Sequence, residues 1–356
     1  MPKPPPPSNA QPRLPRKARA AAVLLAGLVA ATVCRAQGPD EDVWVAAPRD
    51  RTAAATQPMQ ARQYLQARAS GRPMWRQRGS SRTVEVGPAA VPSDAPLPPL
   101  ADGDVYAASA YVLDLDRTQV LYAKNAQQVR PIASISKLMS ALVVLDSGQS
   151  LDETITVTEE DASLPASSRL SVGTQLSRRD LLHLALMSSE NRAIQALARS
   201  HPGGLAAFVA AMNAKAAQLG MPDSHFADPT GLSSDNVSSP HDLVTLMLAA
   251  EHAPLIRRYT TDEALNVRTS AGMQPYHNTN ALVGNPDWAV TLSKTGYTNA
   301  AGRSLVMLTR VNGRRTAFVI LGSANTQARL SDSLRLRHVA ATAATTAAAT
   351  TRSPTH

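Results

Sequence analysis

Lysine is scarce in this chain: of 36 basic residues, 30 are arginine and six are lysine. Cysteine occurs once, as Cys34, and aromatic residues make up only 4% of the 356 positions. Each shortage excludes something. A single cysteine near the start leaves no disulfide framework and no cysteine-built metal site. Few aromatics on a near-neutral body argue against nucleic acid as a partner. The net charge of +9 lies mostly at the front, where residues 1–36 carry six basic and no acidic groups. Residues 101–356 hold 22 basic against 21 acidic groups. Phosphate loops and dinucleotide motifs are absent from the sequence, and His183, His225, His241 and His277 lack metal-ligand spacing. No cofactor and no metal is therefore expected.

The front does not read as a domain. Sixteen of the 26 prolines fall in the first 100 residues. Arg13, Arg16, Lys17 and Arg19 form a basic stretch, Ala20 to Val33 an apolar run, and Cys34-Arg35-Ala36 ends in a small residue. This is the layout of a secretory leader over residues 1–36, with cleavage expected after Ala36. The apolar run is short for a bilayer span, so no stable membrane span is expected after cleavage; a retained anchor is the alternative. Cys34 lacks the Leu and small-residue context that resembles a lipoprotein box. Residues 37–100 are rich in Pro, Arg, Gln, Ser and Ala and show no sustained periodicity. They are read as a flexible low-complexity extension, or as a peptidoglycan- or partner-binding arm.

Regular structure is predicted from near Val105. Tyr106–Leu115 and Val120–Ala123 flank the polar turn Asp116-Arg117-Thr118 and read as a hairpin. Leu138, Leu142 and Leu145 repeat at helical spacing after Ser134. A strong helix from Asp180 breaks at Met187-Ser188-Ser189-Glu190 and resumes from Asn191 to Arg199. Further helices are predicted from Gly204, closed by Gly220, and from Pro240. The back of the chain is β-rich. Ala289 to Ser293 leads into Lys294, and Asn312-Gly313 between Leu305–Val311 and Thr316–Leu321 is a strong hairpin signal. A helix through Leu334, Leu336 and Val339 follows, then an Ala/Thr tract from Ala340 that reads as a tail over residues 341–356. Two strands, a helical block, three strands and a helix predict an α+β domain over residues 101–340. Its natural closure is one five-stranded antiparallel sheet with helices on both faces and a mostly helical subdomain.

Three short patterns carry chemistry. In Ser134-Ile135-Ser136-Lys137, the spacing of three puts the Lys137 amine over the same helix face as the Ser134 hydroxyl, at the positive end of the helix. An ordinary cap and a solvated lysine would give the same string. As a base, Lys137 must be neutral, and moving an amine from near 10.4 to about 7 costs on the order of 4–5 kcal/mol. Burial and a second cation, Lys294, are the expected sources. Ser189-Glu190-Asn191 falls at the helix break: Ser189 can pass a proton to a leaving amine, and Asn191 can hold substrate amides. Ser188 offers a competing hydroxyl. Lys294-Thr295-Gly296 is predicted to close an apolar strand, with Lys294 and Thr295 suited to an anionic substrate end and Gly296 leaving room for a substrate backbone.

With the three patterns in this order, the chain resembles the penicillin-binding-protein and serine β-lactamase superfamily. More narrowly, Pro131-Ile132-Ala133-Ser134-Ile135-Ser136-Lys137 and Lys294-Thr295-Gly296-Tyr297-Thr298-Asn299-Ala300-Ala301-Gly302 look like the low-molecular-weight D-alanyl-D-alanine peptidases. Asn278-Thr279-Asn280 and Asp228-Pro229-Thr230-Gly231-Leu232 do so too. The resemblance implies a β-lactamase/transpeptidase-like fold and an acyl-enzyme at Ser134 with Lys137 as base. It implies Ser189 and Asn191 in the cleft, Lys294 and Thr295 on the substrate, and an oxyanion hole from the backbone N–H groups of Ser134 and Tyr297. Peptidoglycan stem peptides would be the substrates and β-lactam antibiotics covalent inhibitors, in the periplasm. Glu190 departs from the pattern, since many carboxypeptidases of the family have Gly there. The shorter length resembles the endopeptidase branch, which cuts D-alanine cross-bridges; a carboxypeptidase is the runner-up. A class A β-lactamase would need a Glu-x-x-Leu-Asn run, and Glu263-Ala264-Leu265-Asn266 is one residue short. A non-catalytic wall-binding module is the remaining alternative.

Overall fold

A computed structural model describes Met1 and residues 104–350, with side chains up to residue 343. The leader, the extension over 37–100 and the last six residues lie outside the described residues. The first hairpin joins β1 (Ser109–Asp114) to β2 (Gln119–Lys124), and β3 (Arg130–Pro131) leads into a tight 3-10 turn over Ala133–Ser136. The helical block follows: α1 (Lys137–Asp146), β4 (Thr154–Thr156), α2 (Glu159–Ala162), β5 (Gln175–Ser177), α3 (Arg178–Met187), α4 (Asn191–Arg199) and α5 (Gly204–Leu219). Then come β6 (Val237–Ser238), α6 (Pro240–Glu251), α7 (Pro254–Thr261), β7 (Ala264–Thr269) and β8 (Gly272–His277). The chain closes with β9 (Leu292–Thr298), β10 (Gly302–Val311), β11 (Arg314–Ser323) and α8 (Thr326–Thr350).

The main sheet has five antiparallel strands in the order β2-β1-β11-β10-β9, so strands from both ends of the domain meet at its centre. The period of two along these strands sorts the core. Leu113, Val306, Leu308, Val319 and Leu321 face the helical block, packing with Leu138, Leu182, Leu243 and Met247. Their alternates Val112, Leu305, Met307, Phe318 and Ile320 face the other way, against Leu336 and Ala340 of α8 and Trp288. The β10–β11 turn has Asn312 at φ 50 and Gly313 at φ 78, the double left-handed geometry of a tight hairpin. Caps end the helices where expected: Ser177 and Ser239 accept from Asp180 N and Asp242 N, and Gly220 is left-handed at φ 71.

Three expectations need correction. Lys294-Thr295-Gly296 lies inside β9, not at its end, because pairing with β10 continues through Tyr297–Arg303 to Thr298–Gly302. The Ala/Thr tract does not begin a tail at Ala340: α8 runs unbroken to Thr350. Alanine is the strongest helix former, Ala340 is buried, and Asn312 Nδ2 donates to the Ala341 carbonyl. Finally, α7 and the β7–β8 hairpin had no counterpart in the sequence reading. Glu263, from the near-miss β-lactamase string, lies just before this hairpin against Gly284.

Candidate active site

The approach to Ser134 is tied down residue by residue. Arg130 and Pro131 pair with Ser238 and Val237, and Ile132 N donates to Asn236 O. Ala133 then takes a left-handed φ of 50, which turns the chain sharply into the 3-10 turn and brings half-buried Ser134 to the front of α1. Ser136 Oγ donates to Ala133 O and accepts from Asn236 Nδ2, holding the turn from behind. Lys137, fully buried, is the first residue of α1.

The Lys137 amine has three neighbours: Ser134 Oγ at 2.8 Å, Asn191 Oδ1 at 2.8 Å and the Thr230 carbonyl oxygen at 2.7 Å. Two of these can only accept. A neutral amine has two N–H donors and one lone pair, so Asn191 and Thr230 take the donors and the lone pair is left facing the Ser134 hydroxyl. Burial pushes the Lys137 amine down to about 7, against the opposing pull of Asp228 and Glu190. A serine hydroxyl is therefore in hydrogen-bond contact with an amine whose titration is brought down to about 7, the arrangement that proton transfer between the two needs.

Lys294 is also buried, and its Nζ donates to Thr295 O. Its amine is held well below the usual lysine value by burial first, then by repulsion from Lys137 and from Arg329. The two amines are therefore near enough for the charge of one to bear on the other. The lowering of Lys137 comes from burial, and the second cation expected to share in it does not: the repulsion acts on Lys294. Arg329, on α8, was not foreseen. Its own value is lowered by burial and by Arg303, so a cluster of cations lies beside β9.

Gly296 has a different reason from the one expected. A Cβ there would sit 2.7 Å from Ile132 O and 3.3 Å from Ser134 N, so the missing side chain lets β9 lie directly on the nucleophile turn. Thr295 Oγ1 donates to Thr279 Oγ1 at 2.6 Å, and Thr279 N donates to Met187 O. The Asn278-Thr279-Asn280 segment therefore bridges β9 and the end of α3. Tyr297 has a half-exposed ring covered by the Arg303 guanidinium at 3.7 Å.

At the helix break, Ser188 Oγ donates back to Leu184 O, which occupies it within its own helix. Ser189 adopts a left-handed φ of 62 and is half-buried, and none of the described hydrogen bonds joins it to Ser134 or Lys137. Ser134, Lys137 and Asn191 are thus directly linked, Gly296 abuts the Ser134 turn, and Ser189, two residues before Asn191, has no described bond to either Ser134 or Lys137.

The loop over residues 227–236 entered the sequence reading only through the Asp228–Leu232 resemblance, with no role assigned to it. Asp228 Oδ1 accepts from Thr230 N, Thr230 Oγ1 and Gly231 N, while Oδ2 accepts from Ser233 N. Asn236 Oδ1 accepts from Ala227 N and Asp228 N. Gly231, at φ 82, passes so close to the nucleophile turn that a Cβ would lie 2.0 Å from Ala133 O. This loop delivers the Thr230 carbonyl to Lys137. Its local signal was an Asp followed by Thr-Gly, a turn pattern that says nothing of its distant target.

The D-alanyl-D-alanine carboxypeptidase family matches residues 94–325. The chain is 42% identical over 258 residues to the D-alanyl-D-alanine endopeptidase of Escherichia coli K12, spanning 71% of this chain and 83% of that protein. It is 44% identical over 253 residues to the D-alanyl-D-alanine endopeptidase of Pseudomonas aeruginosa, spanning 70% and 81%. The DD-transpeptidase of Streptomyces K15 superposes with a TM-score of 0.63 at 27% identity, over 67% of this chain and 98% of that one. A base-paired serine under a five-stranded sheet edge and the extent of these matches agree: the chain belongs to the D-alanyl-D-alanine carboxypeptidase family of serine peptidases.

Proposed function

We propose that this chain is a serine-type D-alanyl-D-alanine endopeptidase that cuts peptide cross-links of peptidoglycan through an acyl-enzyme on Ser134. The observation that carries the reading is the Lys137 amine, 2.8 Å from Ser134 Oγ with both its N–H groups committed to oxygens that can only accept. Ser134 gives its proton to Lys137 Nζ as Oγ bonds to the D-alanyl carbonyl carbon. The displaced electron pair moves onto the carbonyl oxygen, facing the backbone N–H groups of Ser134 and Tyr297; one such donor is worth about 100- to 1000-fold in rate. Collapse breaks the C–N bond, and the leaving amine takes up the proton that Lys137 accepted, with Ser189 as carrier. Water then attacks the ester carbonyl, its proton passes to Lys137 and on to Ser134 Oγ, and the free acid departs.

The leaving residue carries a carboxylate beside the scissile bond. Lys294 and Thr295, reinforced by Arg329, form the cationic end that suits it, and an arriving anion favours the charged form of Lys294. Asn191 gives Oδ1 to Lys137, which leaves its Nδ2 group to donate to a substrate carbonyl. β-Lactams would acylate Ser134 by the same first step and remain there as covalent inhibitors.

The leader over 1–36 places the enzyme in the periplasm after cleavage near Ala36, with residues 37–100 as an extension ahead of the peptidase domain at 101–340. Among the described residues no helix is long and apolar enough to cross a membrane. Endopeptidase activity is favoured over carboxypeptidase activity by the names of the Escherichia coli and Pseudomonas aeruginosa relatives. Mass spectrometry of digested muropeptides tests the choice: cross-linked dimers should fall to monomers. Loss of a terminal D-Ala from monomers, with dimers untouched, would establish the carboxypeptidase instead. Fluorescent penicillin should label the parent and not Ser134→Ala; equal labelling of both would remove the acyl-enzyme.

A further inference from the structure

Glu190 is a carboxylate buried to 8% exposure beside the reacting groups, and none of the described ion pairs involves it. Its single described side-chain hydrogen bond comes from Ser168 Oγ. Burying a charge with so little compensation is costly, and a residue kept there needs a reason. Its surroundings supply one. Ser168 Oγ also accepts from Leu170 N, and Arg192, two residues along α4 from Glu190, donates to Leu170 O. Arg169 between them donates to Pro275 O and lies 4.2 Å over the Tyr276 ring. The 168–170 segment is therefore fastened to the start of α4 on one side and to β8 on the other. Glu190 is the fastening next to Ser189 and Asn191.

The same carboxylate acts on Lys137. Each element packed around that amine contributes a charge or a dipole. Asp228 on the loop and Glu190 at the cap of α4 favour its protonated form. Lys294 on β9 is a like charge near enough to be repelled by Lys137, and Arg329 on α8 repels Lys294 in turn. Asn191 and the Thr230 carbonyl are uncharged. The two carboxylates are not equivalent, because Asp228 is already satisfied by donors from Thr230, Gly231 and Ser233. Glu190 has one hydroxyl. On the other side, it and Arg169 act in opposite senses on the Tyr276 hydroxyl.

We infer that Glu190 is a positioning residue for the acylation step, tying the 168–170 segment to the Ser189–Asn191 corner while holding a negative charge against the Lys137 amine. This rests on the reading of Lys137 as the base. Removing the charge makes the amine easier to deprotonate, so the acidic limb of the acylation profile should move to lower pH. Glu190 has φ −64 and ψ 119, an extended conformation that glycine also adopts, so Glu190→Gly is a second variant compatible with the backbone. It lacks both the charge and the tether, whereas Glu190→Gln lacks the charge alone.

The experiment measures the second-order rate of labelling by fluorescent penicillin from pH 5 to 9 for the full-length parent, Glu190→Gln, Glu190→Gly and Glu190→Asp. The expected result is a limb displaced downward by roughly one pH unit, the scale of one nearby charge, in the Gln and Gly variants. Glu190→Asp, which keeps the charge, should titrate closer to the parent. The plateau rate should fall further in Glu190→Gly than in Glu190→Gln, because only glycine leaves Ser168 without an acceptor. Gln and Gly profiles that superimpose on the parent's after normalisation would overturn the inference, whatever their plateaus. An Asp profile displaced as far as that of Gln would also overturn it. Failure of the parent to label would instead count against the acyl-enzyme itself, so the two readings fail separately.

Discussion

Replacing Gly231 by alanine should separate a backbone strain from a backbone collision. Gly231 has φ 82, where an L-residue is strained by roughly 1–2 kcal/mol. Its new Cβ would stand 2.0 Å from Ala133 O, 2.3 Å from Ala133 C and 2.8 Å from Ser134 N. All three are main-chain atoms of the nucleophile turn, so no rotamer change relieves the contact. The loop or the turn must move, and overpacking of this kind adds about 1–3 kcal/mol. A total near 3 kcal/mol should lower the melting temperature by roughly 6–12 °C for a domain of this size. Movement also breaks the 2.7 Å contact between Thr230 O and Lys137, and misplacement by about 1 Å near a reacting centre can cost about 100-fold in rate. Gly148 is the control. It has φ 66 with nothing within 4 Å of an added Cβ, so Gly148→Ala carries the strain alone, about 1–2 kcal/mol, and should acylate like the parent. The assays are thermal unfolding and the rate of penicillin acylation. The reasoning is refuted if Gly231→Ala melts no lower than Gly148→Ala, or labels at the parent rate.

The remaining expectations are shorter. With Lys137 at about 7, the neutral base is lost on acidification, so acylation should fall tenfold per pH unit well below 7 and level off above it. Lys137→Arg should abolish the reaction at all these pH values, since a guanidinium keeps its proton. Ser189→Ala should slow turnover by about 100-fold or more if it carries the proton to the leaving amine, a loss typical of a removed general acid. Ser188→Ala, whose hydroxyl is spent on Leu184 O, should leave turnover near the parent value, and equal losses in both would reject the assignment of the register. Arg329→Ala should raise KM for a substrate ending in carboxylate by about 10-fold or more, the worth of a charge-assisted hydrogen bond, with less effect on an amidated analogue.

The fold was legible wherever one face of an element is buried and its ends are marked. The β10–β11 hairpin announced itself because Asn312-Gly313 tolerates two successive left-handed residues, and α3 and α4 because polar residues interrupt an apolar repeat. The β7–β8 hairpin gave no such sign. Leu265, Val267 and Thr269 of β7 do alternate with exposed Ala264, Asn266 and Arg268, but the run is short, and in β8 an exposed Met273 and a proline at 275 argue against a strand. The boundary between α6 and α7 is a proline effect: Pro254 has no N–H to continue α6 and is favoured at a helix start, a signal that was present in the sequence and overlooked. The extension of α8 past Ala340 joins the helix propensity of its alanines to tertiary contacts of Ala340 and Ala341, and only the first is written in the composition.

The sequence pointed to residues that the structure brings together, Ser134, Lys137 and Asn191, and not to what holds them. Scarcity of lysine pointed to Lys137 and Lys294, yet Lys124 and Lys215 are equally rare and have ordinary duties, pairing with Asp104 and Asp146. What separates the two pairs is the counter-charge. Lys124 and Lys215 are partly exposed and each contacts a carboxylate. Lys137 and Lys294 are buried, and none of their described hydrogen bonds goes to a carboxylate: Lys137 is met by a hydroxyl, an amide oxygen and a carbonyl, and Lys294 by a carbonyl. Neutral oxygens can orient an amine without fixing its charge. The Asp228–Asn236 loop therefore matters to the chemistry, because it spends its own carboxylate on its backbone N–H groups and presents a carbonyl to the base. Had Asp228 itself reached Lys137, the amine would hold its proton and the Ser134 hydroxyl would have no acceptor.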